Sequence, residues 1–380
     1  MGKTSFATGD NLTVKWWSAS TFQYGVYKNY FNKFTGKNLP TNKKLRGVSI
    51  ETNPNAMISR KMEFAEHAKG DRITYALIDP LSGAGVIDDE RLEDNEEALA
   101  SSDFSITLRR RRHATRTTGK MSDLRPAFDV MVKSRQVLGM WLAREHDKDV
   151  IAAASGVANS VGTIAASAPT STRRWYGGQT AAGVIVPVAN DAAIDSATTN
   201  IFGEKVIEWV KRFATLNEPL VRPIIVGGEE IYVMLIHPYQ TKALKASTDY
   251  KAALQNSMQR AASNPQFKGM FENSHGLWDG VVVHEIPKIE TRLGAGGSTA
   301  AEYFESGDDV PSGITVARGL FLGAQSICIG YKGSPAWVED KFDYDNEWGI
   351  ALGLFYQVAK TKFNSIDYGV VTVDTAVVVD

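Results

Sequence analysis

Residues 81–116 read LSGAGVIDDERLEDNEEALASSDFSITLRRRRHATR, and the reading of the whole chain turns on the charges inside this stretch. Asp88, Asp89, Glu90, Glu93, Asp94, Glu96 and Glu97 fall within ten residues, relieved only by Arg91. Carboxylates at that density stay in water, because each buried one would need a partner or a proton. Gly83 and Gly85 precede them, which suits a turning loop. Upstream, Ile73, Tyr75 and Leu77 alternate with their neighbours as in a strand, and Ser102 to Thr118 is a second strand-like run with Phe104, Ile106 and Leu108 on one face. Two strands joined by a long acidic tip predict a β-arm projecting from the body.

Arg109, Arg110, Arg111 and Arg112 follow directly, with Arg116 close behind. In an alternating strand Arg109 and Arg111 face one way, Arg110 and Arg112 the other. Like charges so closely packed need anions. Nucleic acid, a solvated sheet edge and the acidic tip of a neighbouring copy all stay open, and the opposite charges of one arm favour the last, head to tail.

Outward from the arm comes the most regular segment. After Gly119, Ser122 or Asp123 can cap a helix and Pro126 fits its first turn. Phe128, Met131, Val132, Leu138, Trp141 and Leu142 recur at helical spacing, and the pattern runs to about Ala154, a beam of ~45 Å at 1.5 Å per residue. Residues 155–199 are rich in small residues, and a second amphipathic helix follows Asn200 until Pro219. From Val221 to Tyr331 the pattern is α+β: a hairpin around Gly227-Gly228, helices over Tyr239–Ala246 and Tyr250–Ser263, and strands over Gly280–Ile286 and Gly319–Tyr331. Gly294–Ser298 reads as a loop, and Ile350–Lys362 and Val370–Val379 as closing strands. The first seventy residues lack a sustained period. They suggest an extended arm needing a surface to lie on, or a frayed terminus, with a short helix over Ala56–Ala68.

Composition sets the outer bounds. The 380 residues carry 42 Lys plus Arg against 43 Asp plus Glu, which argues against a DNA-condensing or polybasic membrane-surface protein. A 43% hydrophobic share is too rich for a disordered chain, and one Cys cannot form an internal disulfide, so a reducing compartment is expected. No signal peptide is visible, and the uncharged run Val150–Thr172 is too poor in large apolar residues for a membrane span.

No catalytic, cofactor or metal site emerges. Neither a phosphate-cradling G-x-x-x-x-G-K-[ST] loop nor a G-x-S-x-G elbow is present, and the six histidines form no H-x-x-x-H or H-x-H pair. His237 before Pro238 reads as a turn residue, and Cys328, in an apolar strand, as core. The acids of the tip sit in water and not in the cleft that general acid–base work needs, and their spacing fails the EF-hand loop.

The order of parts resembles the major capsid proteins of tailed bacteriophages, the Hong Kong 97-type fold. Blocks that carry the resemblance are Leu81–Gly85, Leu92–Leu99, Arg112-His113-Ala114, Gly119–Ser122, His237–Gln240, Asn264-Pro265 with Phe267, and Asp279–Glu285. It implies an α+β fold with an N-arm (1–69), an E-loop (70–119), a P-domain with a spine helix (120–217), an A-domain (218–340) and C-terminal strands returning to the P-domain (341–380). The implied function is a shell subunit forming hexamers and pentamers of an icosahedral head, with no catalysis. Its intersubunit contacts would use the seven acids of the tip and Arg109, Arg110, Arg111, Arg112 and Arg116. Implied partners are other copies, a separate scaffolding protein, decoration or cement proteins, a portal at one vertex and packaged DNA met without sequence-specific binding. The place is the virion capsid, assembled in the host bacterial cytoplasm, with no membrane. Some relatives weld subunits through Lys–Asn isopeptide bonds from the E-loop; residues 81–101 contain no Lys, which argues against that chemistry. An α+β enzyme with an unrecognised site and another phage structural protein, of tail or decoration, remain as alternatives.

Overall fold

The computed structural model describes residues 30–35, 50–51, 55–64, 70–78, 81, 83–88, 91, 93, 95–99, 101–120, 130–156, 167–190, 193–194, 198–226, 228–247, 249–252, 274–286, 291–293 and 314–377. Its strands in chain order are β1 (Ile50–Glu51), β2 (Ile58–Phe64), β3 (Arg72–Ile78), β4 (Ser101–Thr107), β5 (Arg109–Arg116), β6 (Arg174–Gln179), β7 (Ile185–Pro187), β8 (Ile224–Val226), β9 (Glu229–Ile236), β10 (Ser274–Trp278), β11 (Val281–Glu285), β12 (Thr291–Leu293), β13 (Thr315–Leu322), β14 (Ile327–Phe342), β15 (Glu347–Lys360), β16 (Lys362–Phe363), β17 (Ile366–Asp367) and β18 (Val370–Val377). The helices are α1 (Val130–Ser155), α2 (Glu204–Leu216) and α3 (Pro238–Ala246).

Two sheets organise them. A nine-stranded sheet runs β10-β11-β9-β13-β18-β6-β7, with β12 on β13 and β8 on β9. Its central strands β13 and β18 are buried along their whole length, which is why TVARGLFL and VVTVDTAV read as continuous runs rather than alternations. The second sheet is β1-β2-β14-β15-β5, built on the long β14–β15 hairpin. Helix α1, 26 residues and so ~39 Å long, packs Leu138 and Leu142 against this sheet and drives Val150–Ala154 into one core with Val233, Leu235, Leu320, Ile329, Leu352 and Val358 of both sheets. The beam thereby fixes one sheet against the other.

The arm hairpin β3–β4 lies over β14 and β15, with Ile106 packed on Cys328 and Ala359 and flanked by Tyr75 and Phe104. Gly330 makes this seat possible: a Cβ there would stand 2.8 Å from the Ile73 Cδ1 and 3.1 Å from a Leu108 methyl.

Several elements differ from the sequence reading. Residues 58–64 form a strand where a helix over Ala56–Ala68 was expected, because Ile58–Phe64 pairs in parallel with Ile327–Lys332 and Ile58 is fully buried there. Tertiary pairing overrides a weak local preference. The run Ser102–Thr118 is two strands. The Leu108 N–H bonds the Asp71 carbonyl at 2.6 Å, one rung beyond the Arg72–Thr107 pair of the β3–β4 ladder, and the chain then leaves the arm, so that β5, with the arginines, joins β15 as the sheet edge. Likewise Gly319–Tyr331 is not one strand. The chain leaves the nine-stranded sheet at Leu322 and enters the five-stranded one at Ile327, whereas the expected central lobe extended to 340, and β18 returns to the nine-stranded sheet. The start of the beam at Ser122 or Asp123, the helix Tyr250–Ser263 beyond 252 and the Gly294–Ser298 loop lie outside the described residues.

Candidate assembly interface

The acidic tip is held in shape by its own backbone. Gly83 donates its N–H to Glu97 Oε2 at 2.7 Å, joining the two limbs, and the Asn95 amide donates to the Arg91 carbonyl at 2.8 Å. Asp88 adopts a left-handed φ of 54°, tolerated by Asp at a turn. Arg91 and Glu93 form an exposed ion pair at 3.1 Å. Between the charges stand three large apolar side chains in water: Leu81 is 64% exposed, Ile87 69% and Leu99 65%. Asp89, Glu90 and Asp94 lie outside the described residues.

The arginines of β5 divide by the pleat. Arg110 faces Phe355 and Arg112 faces Gly353 across the β5–β15 ladder, both exposed, and the Arg110 guanidinium carbon lies 5.4 Å from the Phe355 ring centre. The next rows on the same outer face are Ala114 beside Ala351, then Val338 beyond it on β14. Phe355 and Val338 are themselves exposed. The result is a shallow floor of small and apolar residues bordered by guanidinium groups.

Arg111 departs from the expectation. It points inward, 8% exposed, and is satisfied within its own chain. Its Nη1 donates to Asp149 Oδ2 at 2.6 Å and to the Tyr356 hydroxyl at 3.1 Å, while Nη2 pairs with Glu145. The Tyr356 hydroxyl in turn donates to Asp149 at 2.5 Å. Glu145 and Asp149 are one turn apart on α1, so the arginine clamps the edge strand to the beam. Burial works against the Arg111 charge, but Tyr356 and Asp149 more than offset it and the guanidinium titrates above its ordinary range. Burial above all, with Asp149 beside it, also raises the Tyr356 phenol well above its usual value. His146, a neighbour on α1, packs in a triangle of rings with Tyr331 and Tyr356, which lie 6.3 Å apart, and shares a 2.6 Å hydrogen bond with the Tyr331 hydroxyl. Complete burial, aided by Arg60 and Arg111, pushes this imidazole down to about 3, so it is neutral in the fold.

Arg116 is exposed yet engaged at home: it pairs with Glu347 and lies 4.2 Å from the centre of the Phe342 ring. Arg109 is exposed at the start of β5. Of the five arginines, then, Arg110 and Arg112 stand over the outer floor, Arg111 belongs to the core and Arg116 to a local pair. The sequence reading missed Glu145, Asp149 and Tyr356; two carboxylates at i and i+4 among the apolar positions of the beam were the available signal.

His237 is structural: it caps α3, with Nδ1 accepting from the Tyr239 N–H at 3.3 Å while the Gln240 side chain returns to the His237 N–H at 3.1 Å. Cys328 is core, its thiol pushed up to about 11 by burial. Among the described residues no group of three His, Cys, Asp or Glu could hold a metal ion, and no helix is long and apolar enough to cross a membrane.

Comparison with known proteins follows the same lines. A family model described as phage capsid protein matches residues 5–379. A curated relative, the major capsid protein of Pseudomonas phage KPP25, is 29% identical over 399 residues, covering 98% of this chain and 97% of the relative. Among solved structures, the capsid of Ralstonia phage GP4 matches with a TM-score of 0.76 at 23% identity, over 100% of this chain and 96% of that one. The head structure of Helicobacter pylori bacteriophage KHP40 matches with a TM-score of 0.63 at 16% identity, over 92% and 91%. At these identities the solved structures speak for the fold.

Proposed function

This chain belongs to the phage capsid protein family, and from that premise we propose how it builds a shell. It is a major capsid protein of the Hong Kong 97-type fold, a subunit of an icosahedral head and so a component of the virion. In our reading its work is association and not turnover. Residues 72–107 with their tip serve as the E-loop, the five-stranded sheet with α1 as the P-domain, the nine-stranded sheet as the A-domain and the residues before 50 as the N-arm. The same chain fills hexamers and pentamers in the host cytoplasm, helped by a separate scaffolding protein, with a portal at one vertex and decoration proteins outside. DNA meets the inner face without sequence readout.

The E-loop tip of one copy lies on the outer floor of its neighbour's five-stranded sheet. One observation carries this: the floor presents Arg110 and Arg112 around Phe355, Val338 and small residues, and the tip presents Leu81, Ile87 and Leu99 among carboxylates. Apolar anchors ringed by complementary charge are what a specific, water-excluding contact requires. The anchors supply affinity, and the charges set register and refuse a like-charged surface.

Negative-stain microscopy of the purified chain, with R110E/R112E beside it, tests this. Shells, rings or tubes from the parent and none from the variant at equal concentration are expected. A parent that stays a compact monomer overturns the shell reading for this chain, whereas normal shells from the variant overturn only the charged contact.

A further inference from the structure

Charge is unbalanced where α1 ends against the nine-stranded sheet. Arg173, Arg318 and Lys360 are buried and Arg174 partly so, and among the described residues these four cations face two buried carboxylates, Asp367 and Asp374. Asp374 is fully engaged: Arg318 Nε donates to its Oδ1 at 2.8 Å, and Arg318 Nη2 and Arg174 Nη2 to its Oδ2 at 3.0 and 2.9 Å. Asp367 Oδ2 accepts from Lys360 Nζ at 2.8 Å and from the Thr170 N–H at 3.0 Å, with Lys362 Nζ 3.5 Å from its Oδ1. Arg318 Nη1 donates to the Ser155 carbonyl at 3.0 Å, at the end of α1. The stretch 156–172 that joins α1 to Arg173 contains no acid.

Arg173 is the cation left over. It closes a turn over Ser171–Arg173 that packs on β17 and β18, and it is 0% exposed. Its Nε donates to the Asp367 carbonyl at 3.1 Å, but Nη1 and Nη2, both buried, have no hydrogen-bond acceptor among the described residues. The buried Thr372 hydroxyl likewise has no partner there. Thr372 pairs with Arg174, the residue after Arg173, on the β6–β18 ladder, and shares a face of β18 with Asp374. Burial works against the Arg173 charge and Asp367 opposes that only in part, yet a guanidinium does not lose its proton in a protein. Water would satisfy its N–H groups but leave the unmatched charge in the interior.

We infer that Arg173 Nη1 and Nη2, with the Thr372 hydroxyl, hold a small inorganic anion of the chloride class where the Ser171–Arg173 turn packs on β17 and β18. The two Nη groups present their N–H donors in one plane, and the hydroxyl turns its proton to suit. A monatomic anion accepts from any direction and brings one negative charge, which matches such a donor set. An anion carried on a nucleic acid or a lipid does not reach side chains that are fully buried. The role is structural: the ion joins turn to sheet and offsets part of the excess positive charge. Neither the site nor its test depends on shell formation.

The test melts the unassembled full chain at fixed ionic strength while potassium gluconate is replaced stepwise by potassium chloride, with R173M and T372V alongside. By mass action the parent's melting temperature should rise by ~2–3 °C for each tenfold increase in chloride above the dissociation constant. R173M, which removes both the charge and the donors, should show no such rise. T372V keeps the shape of the side chain and should need severalfold more chloride than the parent for the same rise. A parent indifferent to chloride overturns the proposal and assigns the place to water. A rise of equal size in parent and R173M also overturns it, as a general salt effect, and where R173M does not fold, a T372V curve that coincides with the parent's does the same.

Discussion

Removing Arg111 without its partners should unfold the link between edge strand and beam. R111M keeps the length and apolar stem of the side chain but takes the Arg111 guanidinium from Asp149, only 2% exposed, while Glu145 keeps Lys148 at 3.7 Å and Arg144 at 3.9 Å. Breaking a buried pair by deleting one partner costs ~3–5 kcal/mol, because the carboxylate loses its cation without regaining water. For a chain of this size, at ~2 °C per kcal/mol, the melting temperature should fall by ~6–10 °C. Tyr356 still donates to Asp149, which places the loss toward the lower end. Melting curves by circular dichroism at pH 7.5 measure the gap between parent and variant. R111M/E145Q/D149N, in which no charge remains, should recover most of the loss. A fall of less than ~1 kcal/mol in R111M, or a triple variant no better than the single one, would refute the clamp.

Two further outcomes follow from the same geometry. His146 is neutral in the fold with a pKa near 3, below its unfolded value of 6.5, so between those limits the unfolded state binds more protons and stability falls as pH drops; H146Q should flatten the acid limb of the stability curve from pH 6.5 downward, and an unchanged limb would count against the buried neutral imidazole. Filling the seat of the arm with G330V should push the hairpin off β14, since a Cβ already meets Ile73 Cδ1 at 2.8 Å; amide exchange over 72–78 and 101–107 should accelerate by an order of magnitude or more, with β13 and β18 unaffected.

The elements legible in the sequence are those whose pattern is local. The alternation of 73–78 and 104–108, the 3.6 period of α2 and the acid-rich tip each declare themselves within a dozen residues, whereas α1 buries Glu145, His146 and Asp149 and exposes Val137 and Met140. What stayed hidden depends on distant partners. Residues 58–64 become a strand only because 327–332, some 269 positions later, supply a ladder. The four consecutive arginines look alike in the sequence, and nothing nearby tells which meets Asp149, 38 residues on, or Tyr356, 245 residues on. The break at Leu108 is equally silent, yet it moves the arginines from the arm to the edge of the body, and with them the face on which a neighbour can land.

The central claim, that the acidic tip of one copy seats on the Arg110–Arg112 floor of the next, is tested most directly by swapping the charges in one chain. E93K/E96K and R110E/R112E should each fold with the parent's melting temperature, as exposed substitutions do, and each should fail to form particles at low salt. A single chain carrying all four changes restores opposite charges at every contact, and light scattering should show it assembling again. A fourfold variant no better at assembly than either pair would contradict the account.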